Sequence, residues 1–132
     1  MAGGLELPLR VYWEDTDAGG IVYHASYLRF MERARSEWLR GLGIDQVGLR
    51  SREHIQFAVV DMQIAWKRTA RHDDLLVVTA EPRDCRGASF AFLQQVRRDG
   101  ELLVEATVRV AAIDSNTFKP RRLPAELTGL FA

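Results

Sequence analysis

The chain has 132 residues, 47% hydrophobic and 27% charged, which predicts one folded domain over residues 1–132 and excludes a disordered chain. Eighteen basic side chains balance eighteen acidic ones, so nothing in the net charge attracts nucleic acid or an anionic membrane, and no nucleic-acid partner is expected. One cysteine, Cys85, excludes an internal disulfide and any cysteine-built zinc site.

The segment Met1–Pro8 is too short and interrupted for a signal peptide. No apolar run approaches the ~20 residues of a membrane-spanning helix. A soluble cytoplasmic protein without membrane insertion is the expectation.

In chain order, Leu7, Leu9, Val11 and Trp13 alternate with Pro8, Arg10, Tyr12 and Glu14, the period of a strand. Pro8 cannot donate to a ladder and belongs at a strand start or sheet edge. Asp15-Thr16-Asp17-Ala18-Gly19-Gly20 breaks the pattern.

From about Ser26 to Leu42 the period becomes helical. Tyr27, Phe30, Met31, Ala34, Trp38 and Leu42 share one face, with Arg29, Arg33, Ser36, Glu37 and Arg40 opposite. Arg33 and Glu37 are spaced to pair, and Gly43 is a natural C-terminal stop.

Four further strands are predicted. Val60, Met62, Ile64 and Trp66 alternate with polar or small residues; Leu75–Glu81 is rich in β-branched residues; Ala88–Arg97 carries Phe90, Phe92 and Val96 on one face. Asp99-Gly100 signals a tight hairpin into the alternating run Leu102–Ala112. Short connections predict that these last four strands pair antiparallel in succession. The sum is an α+β fold, a five-stranded antiparallel sheet curved around one long central helix. One helix over one sheet leaves edges and apolar surface bare, which predicts oligomerisation.

The informative stretch runs from Tyr12 to Tyr27: carboxylates and glycines between a strand end and a helix start. A helix N-terminus offers unpaired N–H groups and partial positive charge, suited to polarising a carbonyl. A carboxylate beside it could attack that carbonyl or activate water. Asp15 and Thr16 read better as cap and turn residues. Asp17 stands evenly between turn residue and catalyst.

Other chemistries fit worse. The spacing of Asp15 and Asp17 lacks the glutamate of a calcium loop, and no lysine follows the glycines as a phosphate loop requires. His24, His54 and His72 have no metal-ligand spacing, and no Gly-x-Ser-x-Gly elbow exists. No metal is expected.

Glu14-Asp15-Thr16-Asp17-Ala18-Gly19-Gly20-Ile21-Val22-Tyr23-His24-Ala25, followed by Glu32-Arg33-Ala34-Arg35, resembles the signature of hot-dog-fold thioesterases of the hydroxybenzoyl-CoA thioesterase type, nearest to the Tol-Pal-associated, YbgC-like branch. The strand pattern and Lys119-Pro120-Arg121 extend the resemblance over nearly the whole chain.

The resemblance implies hydrolysis of acyl-coenzyme A, with coenzyme A as part of the substrate and no separate cofactor. It implies homodimers that share a continuous sheet, assemble further into homotetramers, and hold active sites at the dimer interface. Asp17 falls on the family's catalytic aspartate, as nucleophile or general base. The backbone N–H near His24 falls on the group that polarises the thioester carbonyl. The His24 side chain either contacts substrate or is incidental. Tyr23 and Tyr27 are candidates to line the acyl pocket, or else pack against the sheet. Arg86 matches a basic position that grips the nucleotide, although Gly87 and Ala88 replace its basic neighbours, and Arg121 is a second candidate. Glu32 and Arg35 are assigned to ion pairing. Acyl carrier protein is an alternative carrier of the acyl group, with Arg29, Arg33 and Arg40 as its dock. A non-catalytic acyl-binding adaptor of the cell envelope is the competing class.

Overall fold

The computed structural model describes residues 3–131. Strand β1 (Leu5–Arg10) leads through a short 3₁₀ turn (Trp13–Asp15) and a glycine loop to helix α1 (Ser26–Gly41). Helix α2 (Gln46–Glu53) follows, then strands β2 (Ile55–Trp66), β3 (Leu75–Arg86), β4 (Ser89–Arg98) and β5 (Glu101–Asp114), and a terminal turn of helix, α3 (Ala125–Thr128). Among the described residues the strands form one antiparallel sheet in the order β1-β3-β4-β5-β2. No helix of the described residues is long and apolar enough to cross a membrane.

The sheet curves around α1. Tyr27, Phe30, Met31, Ala34, Trp38 and Leu39 bury one face of that helix against β1, β3 and β4. Trp38 meets Phe90 and Phe92 at ring-centroid distances of 6.0 and 5.2 Å, within the range where aromatic pairs add to plain burial. Gln94 sits fully buried in this otherwise apolar layer, and its polar atoms are matched. Its amide donates to the carbonyls of Met31 (3.0 Å) and Thr79 (3.1 Å) and accepts from Arg35 (2.9 Å). Arg35 therefore bonds to Gln94 rather than to Glu32. Burial lowers its pKa, an effect Glu32 partly opposes.

Asp99 and Gly100 have φ of +50° and +80°, the two positive values of the tight hairpin that their sequence predicts. Gly43, at φ +82°, follows α1 as expected. Pro8 lies in β1, an edge strand.

Several elements differ from the sequence reading. β1 ends at Arg10, and Trp13 leaves the alternation for an exposed 3₁₀ turn. β2 starts at Ile55 and pairs with β5, not with β3, so the last four strands are not all successive neighbours. A bulge between Val59 and Asp61 splits its period in two, which hid the first half. Helix α2 is too short to show a period. It is held by burial of Gly48 and Leu49, and short helices depend on such packing. Glu37 pairs with Arg40, not with Arg33.

Candidate active site

Past β1 the chain is stitched to the segment before β3: Val11 donates to the Asp74 carbonyl (2.9 Å) and Asp73 to that of Val11 (3.0 Å). The 3₁₀ turn then buries Asp15. One carboxylate oxygen accepts the Tyr12 N–H (2.9 Å) and the other the Arg29 guanidinium (3.2 Å). The Asp15 carbonyl accepts the Tyr23 N–H (3.0 Å) and the Ser26 hydroxyl (3.1 Å). Asp15 thus ties the loop to the start of α1 and holds Arg29, whose side chain stays half exposed.

Asp17 lies two residues on and is exposed. Its Oδ1 accepts the Gly19 N–H (2.8 Å), its carbonyl accepts the Gly20 N–H (3.1 Å), and its own N–H donates to Ile21 (2.9 Å). Among the described residues Oδ2 has no partner. The turn closes because Gly20 adopts φ +81°, which a side chain would strain. His72 and Val22 then bond the loop to the segment after β2 (His72 N–H to the Gly20 carbonyl, 3.2 Å; Val22 N–H to the Ala70 carbonyl, 2.9 Å).

This stitching leaves a cleft of about 330 Å³ lined by Asp17, Ile21, Val22, Tyr23, His24 and Tyr27 on one side, and by Trp66, Lys67, Arg68 and Thr69 on the other. Tyr27 is buried and its hydroxyl accepts the Ala70 N–H (2.9 Å). Burial pushes its pKa above the ordinary tyrosine value, against the opposing pull of that bond. Tyr23 stands half exposed, tilted against His24 at 4.5 Å between centroids. Trp66 meets the His24 ring edge-on at 5.9 Å, and its indole N–H donates to the His24 carbonyl (3.2 Å). The N–H groups of His24 and Ala25, at the mouth of α1, donate to no group among the described residues. Carboxylate, free helix-start N–H and aromatic wall are therefore in one place, an arrangement able to hold an apolar acyl group and act on its carbonyl.

Of the residues singled out from sequence, Asp17, Tyr23, His24 and Tyr27 converge here. Arg86 and Arg121 do not. The 12 residues of β3 at about 3.3 Å each carry the chain roughly 35 Å from the cleft end to Arg86. Arg86 is ion-paired there with Asp84 (2.7 Å), and Arg121, at the same end, with Asp114 (3.0 Å). Trp66, Lys67, Arg68 and Thr69 were not anticipated as site residues. They come from the end of β2, more than 40 positions from His24, and no local pattern predicts that meeting. At the rim Arg68 pairs with Glu101 (3.1 Å), and Arg98 with Asp74 (2.8 Å) and Glu101 (2.9 Å). No three His, Cys, Asp or Glu side chains among the described residues are grouped to hold a metal.

Comparison with known proteins identifies the family. Residues 11–131 match the family model of the thioesterase-like superfamily. Acyl-CoA thioesterase YbgC of Haemophilus influenzae is 44% identical over 128 residues, covering 97% of this chain and 94% of that one. Acyl-CoA thioester hydrolase YbgC of Escherichia coli O6:H1 is 45% identical over 125 residues, covering 94% and 92%. The crystal structure of a probable thioesterase from Bartonella henselae superposes with a TM-score of 0.87 at 39% identity, covering 92% of this chain and all of that one. The chain belongs to the thioesterase-like superfamily, among the hot-dog-fold acyl-CoA thioesterases of the YbgC type.

Proposed function

We propose that the chain hydrolyses acyl-CoA thioesters with Asp17 as the acting carboxylate and the His24 backbone N–H as the donor to the thioester oxygen. The observation that carries this is the shared cleft: Asp17, with one carboxylate oxygen unengaged, lines the same aromatic-walled pocket as the unpaired N–H at the start of α1. The acyl group lies against Tyr23, Tyr27, Trp66 and the His24 ring. The N–H and the positive end of the helix take up the charge that grows on the carbonyl oxygen.

Two routes then use Asp17. As nucleophile it adds to the carbonyl carbon, expels the coenzyme A thiolate and leaves a mixed anhydride that water opens. As general base it takes a proton from the water that attacks, and the departing thiolate is protonated in turn. Neither requires another cofactor.

The nucleotide end needs basic groups. Arg86 and Arg121 sit at the wrong end of their own chain to serve its cleft. A homodimer resolves this. β2 is an edge strand with Val59 and Val60 exposed, and antiparallel pairing of two copies along it turns one chain end for end. That places the Arg86 and Arg121 end of one copy beside the Asp17 end of the other; a homotetramer would pair two such dimers.

Thiol release from short-chain, long-chain and aromatic acyl-CoA esters tests the proposal, with acyl carrier protein thioesters alongside. Turnover by the parent and a fall of ~100-fold or more in kcat for Asp17→Asn is the expected result. A folded parent that binds acyl-CoA without turning over any ester would favour the adaptor.

A further inference from the structure

Each peptide flanking His24 is held by its carbonyl. The Tyr23 carbonyl accepts the Ser26 N–H (2.8 Å), while the Tyr23 N–H donates to Asp15 (3.0 Å). Those partners lie within the loop and helix themselves. The His24 carbonyl has a different kind of partner: the indole N–H of Trp66 (3.2 Å), from the last residue of β2, 42 positions away. The Trp66 ring also abuts the His24 ring and lines the cleft. The His24 N–H belongs to the first of these peptides, across the His24 Cα from the carbonyl that Trp66 holds, and it donates to nothing among the described residues.

We propose that Trp66 is a positioning residue for the reaction: its indole N–H holds the His24–Ala25 peptide so that the His24 N–H keeps its aim at the substrate carbonyl. This rests on the hydrolase reading above. Three physical points support it. The Ala25 N-cap position carries no side-chain cap bond, so the His24–Ala25 peptide lacks the restraint a capping side chain supplies, and the Asp15 bonds reach Tyr23, Ser26 and Arg29 but not this peptide. A donor used for transition-state charge loses most of its value when displaced by a fraction of its bond length, because the gain comes from its being already oriented. Finally, Trp66 stands outside the buried core, 46% exposed, and among the described residues its indole N–H donates to the His24 carbonyl at the mouth of the helix, which core packing does not account for.

The substitution Trp66→Phe keeps an aromatic wall and removes the donor. Its effect is to be read on a thioester that the parent hydrolyses, as kcat and KM separately, with thermal melting beside them. A second readout uses an Asp17→Asn background, in which bound acyl-CoA persists, and records the infrared carbonyl stretch of the bound thioester with and without Trp66→Phe. The expected result is a kcat about tenfold lower, a fraction of the 10²–10³ lost when such a donor is deleted outright, with KM within about twofold and the melting temperature unchanged. The downshift of the carbonyl stretch should shrink in parallel. An active parent with unchanged kcat in Trp66→Phe would overturn the proposal. So would a kcat loss that tracks a lower melting temperature while the carbonyl stretch stays put, since the residue would then be merely structural. A parent without turnover on any thioester would instead overturn the hydrolase reading, and this proposal with it.

Discussion

Asp15 and Asp17 are two positions apart and have the same side chain, yet their surroundings differ completely. Asp15 is buried, with both carboxylate oxygens and its carbonyl engaged. Asp17 is exposed and makes one side-chain bond, to Gly19. Replacing Asp15 by Ala leaves the Tyr12 N–H and Arg29 without their partner, and should lower unfolding free energy by about 1–3 kcal/mol in a denaturant titration. Asp17→Asn keeps an oxygen for Gly19 and should leave that titration unchanged while thiol release collapses. The sequence placed both residues in one loop and favoured the cap role for Asp15. It left Asp17 evenly balanced, because whether a carboxylate is spent on backbone donors or left open to a cleft depends on how the loop closes. Arg86 and Arg121 show the opposite case. Their charge is legible in sequence, but their distance from the cleft is not.

At the scale of elements, α1 and the β4–β5 hairpin were legible because each carries its own period and stop signal. The segment between β2 and β3 was not, although it supplies one wall of the cleft. It is held by non-local bonds, among them the Asp74 carboxylate. Burial pushes the Asp74 pKa up, but the Arg71 N–H and the Arg98 guanidinium outweigh it and hold the carboxyl below its ordinary value. With the folded value depressed, the unfolded chain binds the proton first. The stability contributed by Asp74 is therefore complete above about pH 5 and is lost as pH falls through ~3.9 towards the depressed value. Asp74→Asn should lower stability at neutral pH and flatten this acid limb. The check is melting temperature against pH from 3 to 7 for both proteins.

At the scale of the whole molecule, the sheet has two edges of different character. β1 carries Pro8 and a polar flank, which discourages further pairing. β2 presents Val59 and Val60 beside a bulge. If two copies join along β2, Val60→Lys should shift sedimentation from dimer to monomer at micromolar concentration and raise KM for acyl-CoA, because the nucleotide would lose the partner's basic end. An unchanged sedimentation coefficient would count against this edge as the joint.

The sequence alone determined the inventory: five strands, one long amphipathic helix, the hairpin at Asp99-Gly100 and the carboxylate-glycine loop before the helix. These are local properties, written in periods of two and 3.6 and in residues that tolerate positive φ. The tertiary structure alone decided the strand order, the second helix, the approach of Trp66 to His24 and the separation of Arg86 and Arg121 from Asp17. Those depend on which distant segments come to share hydrogen bonds and buried surface, and a linear pattern carries no distance between residues 24 and 66.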